Sequence, residues 1–232
     1  MNAGKGDKVA GTAGEKTRRR SIDTNQIYPT LKQRIINCEL PPGEPIHEDE
    51  FAREFGTSRT PVRESLMQLR NDELVSIVPR KGTFVSQITV QNVYEVYQIR
   101  QLLEPDVGAT VRGTLDAAKL EEFRDVFRRV CTEEELFQRW FEFDREFHTY
   151  IVSGAGNAML LRLYESIMNH QQRISILSVK QPRRLEHTWR EHSRIINALL
   201  GDNDQAVRDA ITDHITASWE AALRVREITR SS

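Results

Sequence analysis

The chain has 232 residues, 38% of them hydrophobic and 29% charged, with 12 glycines, 8 prolines and a formal net charge of −1. That length is too great for one small core and suits two compact domains with a tail, while the scarcity of Gly and Pro excludes long irregular regions. No run approaches the ~18 apolar residues of a membrane span and no apolar core follows the N-terminal lysines, so a cytoplasmic protein with no membrane partner is expected. Cys38 and Cys131 form no Cys-x-x-Cys pair, which excludes a disulfide framework and a thiolate zinc site.

Residues 1–20 carry Lys5, Lys8, Lys16, Arg18, Arg19 and Arg20 against Asp7 and Glu15. Such a Gly/Ala/Lys segment cannot bury enough apolar surface to fold, and it is expected to be a disordered basic arm. From Asn25 to Asn37, Ile27, Leu31, Ile35 and Ile36 recur at helical spacing, and Leu40-Pro-Pro-Gly43 stops that helix. A short helix is predicted over Glu48 to Phe55, with Gly56 as its left-handed cap. The next follows at once: Ser58 can cap it, Pro61 falls in its first turn, and Val62, Leu66 and Leu69 form one apolar face. Two helices joined by a tight Gly-containing turn make a helix-turn-helix. Leu74 to Val78 and Thr83 to Ser86 then read as strands around Pro79, Arg80, Lys81 and Gly82, a basic-tipped hairpin or wing.

Beyond Thr89 the strand signals vanish. Six amphipathic helices are predicted, over residues 89–113, 116–131, 133–153, 157–178, 183–200 and 203–229, with Gly154, Gly156, Pro182 and Gly201 as punctuation and Pro105 as a kink in the first. The expected fold is therefore mainly α: an arm (1–20), a winged helix-turn-helix (21–88) and an all-α six-helix bundle (89–232).

Residues at the start of the second helix of a helix-turn-helix face base edges. Here they are Arg59, Thr60 and Arg63. The two arginines are four apart and project from one side, each able to give a guanine two hydrogen bonds or to grip a phosphate. Arg80 and Lys81 can reach the backbone or minor groove from the wing, and Gly82 keeps its tip thin. An isolated arginine pair would be read as solvated charge. Helix, tight turn, capped basic helix and basic hairpin in that order argue instead for a double-stranded DNA reader.

In the bundle, Asp144 and His148 are four apart, about 40° around a helix axis, and can hold one ion. Phe137, Trp140, Phe147 and Ile151 share their face, where an aspartate is expensive unless paired or bound to a cation. His192 falls with Ile195, Ile196 and Leu199, and His214 with Ala210, Ile211 and Ala221, so three helices turn a potential ligand toward one interior. Any one of these alone would be a satisfied core residue. Together, one carboxylate and three imidazoles suit a divalent ion, Zn²⁺ first with Ni²⁺ and Mn²⁺ as alternatives.

The stretch Glu48-Asp-Glu-Phe-Ala-Arg-Glu-Phe-Gly-Thr-Ser-Arg-Thr-Pro-Val-Arg-Glu-Ser-Leu66, preceded by Leu40-Pro-Pro-Gly43, resembles the DNA-binding domain of the GntR superfamily of bacterial regulators. The resemblance implies that Arg59, Thr60, Arg63 and the wing at Arg80, Lys81 and Gly82 contact a short palindromic operator with GT/AC half-sites. This chain departs from some members by carrying Asp49 where they place a phosphate- or base-binding arginine. Ile99-Arg-Gln-Leu-Leu-Glu-Pro105, Asp144-x-x-x-His148, Glu191-His192 and His214 resemble the FCD ligand-binding domain of the FadR branch, and six helices rather than seven resemble its VanR-like subgroup. Implied by that resemblance are a homodimer, Asp144, His148, His192 and His214 as metal ligands, and a small organic-acid effector whose carboxylate completes the metal shell. Arg100 is the first candidate to grip that carboxylate and Arg173 the second, with an Arg100–Glu104 structural pair as the competing role for Arg100. The expected function is a transcription repressor released from DNA by its effector. A regulator that answers to metal alone, and a metal-dependent hydrolase, are the alternatives.

Overall fold

In a computed structural model, the structure describes residues 23–130, 133, 139–178 and 182–224. The basic arm, Cys131 and Phe137 lie outside the described residues, as does the expected extension of the last helix to 229.

The N-terminal part opens with a 3₁₀ turn at Thr24–Gln26, followed by α1 (Ile27–Ile36), β1 (Pro45–Ile46), α2 (Glu48–Phe55), α3 (Arg59–Asn71), β2 (Val75–Val78) and β3 (Gly82–Val85). Each helix buries the stripe its sequence marks. Ile27, Leu31, Ile35 and Ile36 of α1 meet Phe51 and Phe55 of α2 and Val62, Leu66 and Leu69 of α3 in one core. Gly56 caps α2 at φ 66°, the left-handed conformation that favours glycine. Ser58 does occupy the position before α3, yet its hydroxyl makes no capping bond there.

The hairpin of β2 and β3 pairs antiparallel, with Val78 opposite Gly82 and Ser76 opposite Phe84. Gly82 has φ 117°, and a Cβ built on it would meet nothing nearer than Phe84 at 4.0 Å. Backbone conformation, more than crowding, therefore demands glycine at the wing tip. The sequence reading missed β1, whose Pro45 and Ile46 pair with Phe84 and Thr83 of β3 and complete a β1-β3-β2 sheet.

Six helices form the C-terminal bundle among the described residues: α4 (Val90–Val111), α5 (Ala117–Val130), α6 (Trp140–Ser153), α7 (Ala158–Ser178), α8 (Pro182–Leu200) and α9 (Asp204–Ala222). Thr89 starts α4 with a capping box in which its hydroxyl accepts from Asn92 N while Asn92 Oδ1 accepts from Thr89 N. Helix α9 lies along α4, the most extensive pairing among the described elements. Gly108 permits it: a Cβ there would stand 2.5 Å from Ile211 Cδ1. In the same pairing Gln101 Nε2 of α4 donates to Thr216 Oγ1 of α9 at 3.1 Å, two residues beyond His214.

Candidate metal centre and nucleic-acid interface

Asp144 and His148 on α6, His192 on α8 and His214 on α9 converge in the bundle core, all four buried, with one potential ligand atom from each lying within 4.8 Å of the others. His148 Nε2 is 3.2 Å from His214 Nε2 and 3.3 Å from His192 Nε2, and His192 Nε2 is 3.1 Å from Asp144 Oδ1. Tetrahedral donors at ~2.0–2.1 Å from a zinc ion are spaced by about 3.3–3.4 Å along each edge. Three of these separations lie near that edge and His148 Nε2 stands 3.9 Å from Asp144 Oδ1, so the donor set fits a divalent ion without forming a regular tetrahedron.

Aromatic rings wall the cluster. His192 stacks on Phe127 with centroids 4.3 Å apart, and Trp140 and Phe147 lie on its other sides. Burial pushes the His192 imidazole down to about 3 against the opposing pull of Asp144, so it stands neutral at physiological pH. Burial alone would raise the Asp144 carboxyl; the hydrogen bond from His192, with the surrounding imidazoles, carries it below the ordinary carboxylate range. One carboxylate and neutral imidazoles are the protonation states that bind metal.

Three further residues, none of which the sequence reading assigned to the metal site, enclose it. Glu104 of α4 accepts from Arg100 Nε at 2.5 Å and from the Tyr164 hydroxyl at 2.8 Å. Its second oxygen lies 2.9 Å from His148 Nδ1. The Arg100 guanidinium beside it holds the Glu104 carboxyl well below the usual range despite complete burial. Behind the cluster, Gln171 of α7 reaches Asp144 Oδ2 at 3.4 Å. Only the i, i+4 spacing of Arg100 and Glu104 signalled any of this in the sequence.

The structure separates the two arginines proposed for an effector. Arg100 is wholly buried beside His148 through Glu104, and its Nη1 has no hydrogen-bond partner. Arg173 instead donates from Nη2 to the Ser86 carbonyl at 2.5 Å, in the segment joining β3 to α4. The same turn of α7 places Gln172 Nε2 2.8 Å from Asn37 Oδ1, just beyond α1. Residues 171, 172 and 173 thus touch in turn the metal cluster, the N-terminal domain and the joint between domains.

Arg59, Thr60 and Arg63 stand exposed at the start of α3, and Arg80, Lys81 and Gly82 stand exposed on the wing. Arg63 is held by both oxygens of Glu48, at 3.0 and 2.8 Å, and Arg59 by Asp49. Both partners, Glu48 and Asp49, lie in the first turn of α2.

Residues 23–85 match the family described as bacterial regulatory proteins, gntR family, and residues 95–217, more than half the chain, match the FCD domain. Among curated proteins the chain is 27% identical over 204 residues to the HTH-type transcriptional repressor RspR of Escherichia coli K12, covering 87% of this chain and 90% of that one. A GntR transcriptional regulator from Rhodococcus sp. RHA1 shares the fold with a TM-score of 0.75 at 22% identity, over 86% of this chain and 97% of that chain. The Escherichia coli protein McbR/YncC does so with a TM-score of 0.74 at 20% identity, over 87% and 97%.

Proposed function

The chain belongs to the gntR family of bacterial regulatory proteins, in the form that joins an FCD domain to the DNA reader, and on that premise we propose that it is a repressor released from a palindromic operator when a small organic acid binds at a divalent ion held by Asp144, His148, His192 and His214. It is a ligand-responsive DNA-binding regulator and not an enzyme. No described helix is long and apolar enough to cross a membrane, and the proposed place of action is the cytoplasm.

The observation that carries the reading is the convergence of four buried donors in the bundle core, one turn of α7 away from contacts to the reader. A divalent ion in that cage, Zn²⁺ first with Ni²⁺ or Mn²⁺ as alternatives, supplies a Lewis-acidic anchor for a carboxylate oxygen. Arg100 would meet the rest of the acid with its unpaired Nη1; Arg173, committed to Ser86, is the weaker choice for that role.

In this reading residues 21–88 are the reader and 89–232 the sensing and dimerising domain, with 1–20 as a basic leader. Two copies present two α3 helices, and Arg59, Thr60 and Arg63 read each half-site while Arg80, Lys81 and Gly82 of the wing track the backbone. Acid binding shifts the population toward an orientation of the readers that no longer matches the half-site spacing. Placement in the VanR-like subgroup of the FadR branch is part of the same reading.

A response to metal alone is the second reading, favoured by the existing pairing of Arg100 with Glu104. The test strips the protein with chelator, then adds Zn²⁺ and a panel of small carboxylates separately while DNA binding is followed by fluorescence anisotropy. Release by acid only after metal loading is expected, and release by metal without acid assigns the second reading. His148→Ala with His214→Ala should lose the ion and the acid response together. Stoichiometric metal in that double variant would mean that other residues hold it.

A further inference from the structure

His214 carries a carboxylate on the side away from the cluster. Its Nδ1 is 2.8 Å from Glu191 Oε2 in good hydrogen-bond geometry, while its Nε2 faces His148 Nε2 at 3.2 Å. A carboxylate only accepts, so the ring proton of a neutral His214 resides on Nδ1 and Nε2 presents a bare lone pair inward. Glu104 stands on the corresponding side of His148, 2.9 Å from its Nδ1. The lone pair of His214 Nε2 is thereby turned into the cluster, where a cation or a proton on His148 Nε2 can meet it.

Resting on the reading of the cluster as a metal site, we infer that Glu191 is a positioning residue: it fixes the tautomer and ring orientation of His214 so that Nε2 is available to the ion. Carboxylates behind metal-binding imidazoles act in this way, and their loss typically lowers metal affinity 10–100-fold. Glu191 is suited to a clean test because its side chain is partly exposed, at the edge of a cleft of about 400 Å³ lined also by His187, Glu220 and Arg224. Removing it strands no buried charge. In the sequence Glu191 stood out only as the neighbour of His192.

The experiment compares wild type, Glu191→Ala and Glu191→Gln in two readouts. In metal-free protein, ¹⁵N spectra of the His214 ring should show the Nδ1–H tautomer in wild type and a shift toward Nε2–H in Glu191→Ala. Competition for Zn²⁺ against a chromophoric chelator should show affinity falling about 10–100-fold in Glu191→Ala, with partial rescue in Glu191→Gln, whose amide oxygen still accepts the Nδ1 proton. Unchanged tautomer and unchanged affinity in Glu191→Ala would overturn the inference. Failure of wild type to bind Zn²⁺ would overturn the metal reading itself, and the tautomer measurement, which needs no metal, separates the two failures.

Discussion

Both halves of this protein set arginine against carboxylate, under opposite conditions. In the reader, Arg59 pairs with Asp49 and Arg63 with Glu48, and the two arginine side chains are 65% and 66% exposed. In the sensor, Arg100 pairs with Glu104 at 0% and 2% exposure. Exposed pairs contribute ~0–1 kcal/mol and are screened by salt, so guanine edges or phosphates can replace the carboxylates at little expense. A buried pair is different in kind: each ion is held only by the other and by neighbouring dipoles, and breaking it leaves an uncompensated charge. The same chemistry is an exchangeable hold on the exposed arginines of α3 in one domain and a fixed frame around the buried Asp/His cluster in the other.

The largest expected effect lies in the fixed frame. Arg100→Ala should destabilise the protein by about 3–5 kcal/mol, because it strands Glu104 in the core, and urea unfolding measures it; a loss below about 1 kcal/mol would show that water reaches the pair and would erase the contrast. Next comes the exchangeable hold. Arg63→Ala should weaken binding to duplexes selected from a random pool by about 1–3 kcal/mol, with unchanged unfolding and an unchanged oligomer in sedimentation. Equal affinity in a gel shift would remove Arg63 from the interface. The smallest effect is expected from Asp49→Asn, which frees Arg59 and deletes a negative charge near the phosphates. Stability should move by less than about 1 kcal/mol, while DNA affinity rises modestly and most visibly at low salt. A fall in affinity would mean that Asp49 orients Arg59 for base contact, and the contrast between the domains would then be one of strength alone.

Much of the architecture was legible in local patterns. The stripes Ile27, Leu31, Ile35 and Ile36 on α1 and Val62, Leu66 and Leu69 on α3 became core, because burial of one helical face follows directly from a 3.6-residue period. Strand β1 escaped notice for a matching reason: two residues carry no period, and Pro45 and Ile46 form a strand only because β3 lies beside them. The start of α3 shows the limit of cap rules, since Ser58 holds the right position without making the bond.

Helical spacing by itself determined that Asp144, His148, His192 and His214 face apolar interiors, since a polar residue inside an apolar stripe is visible in the sequence. What the stripes cannot say is how three helices are rotated and shifted against each other. Only tertiary packing decided that the four donors meet, with Gly108 letting α9 settle onto α4. The same packing put Glu104 and Glu191 behind two of the imidazoles and drew Arg173 to the joint with the reader. Contacts between residues 23 to 87 positions apart depend on the positions of whole helices, and those are set by the sum of the core packing rather than by any local run of residues.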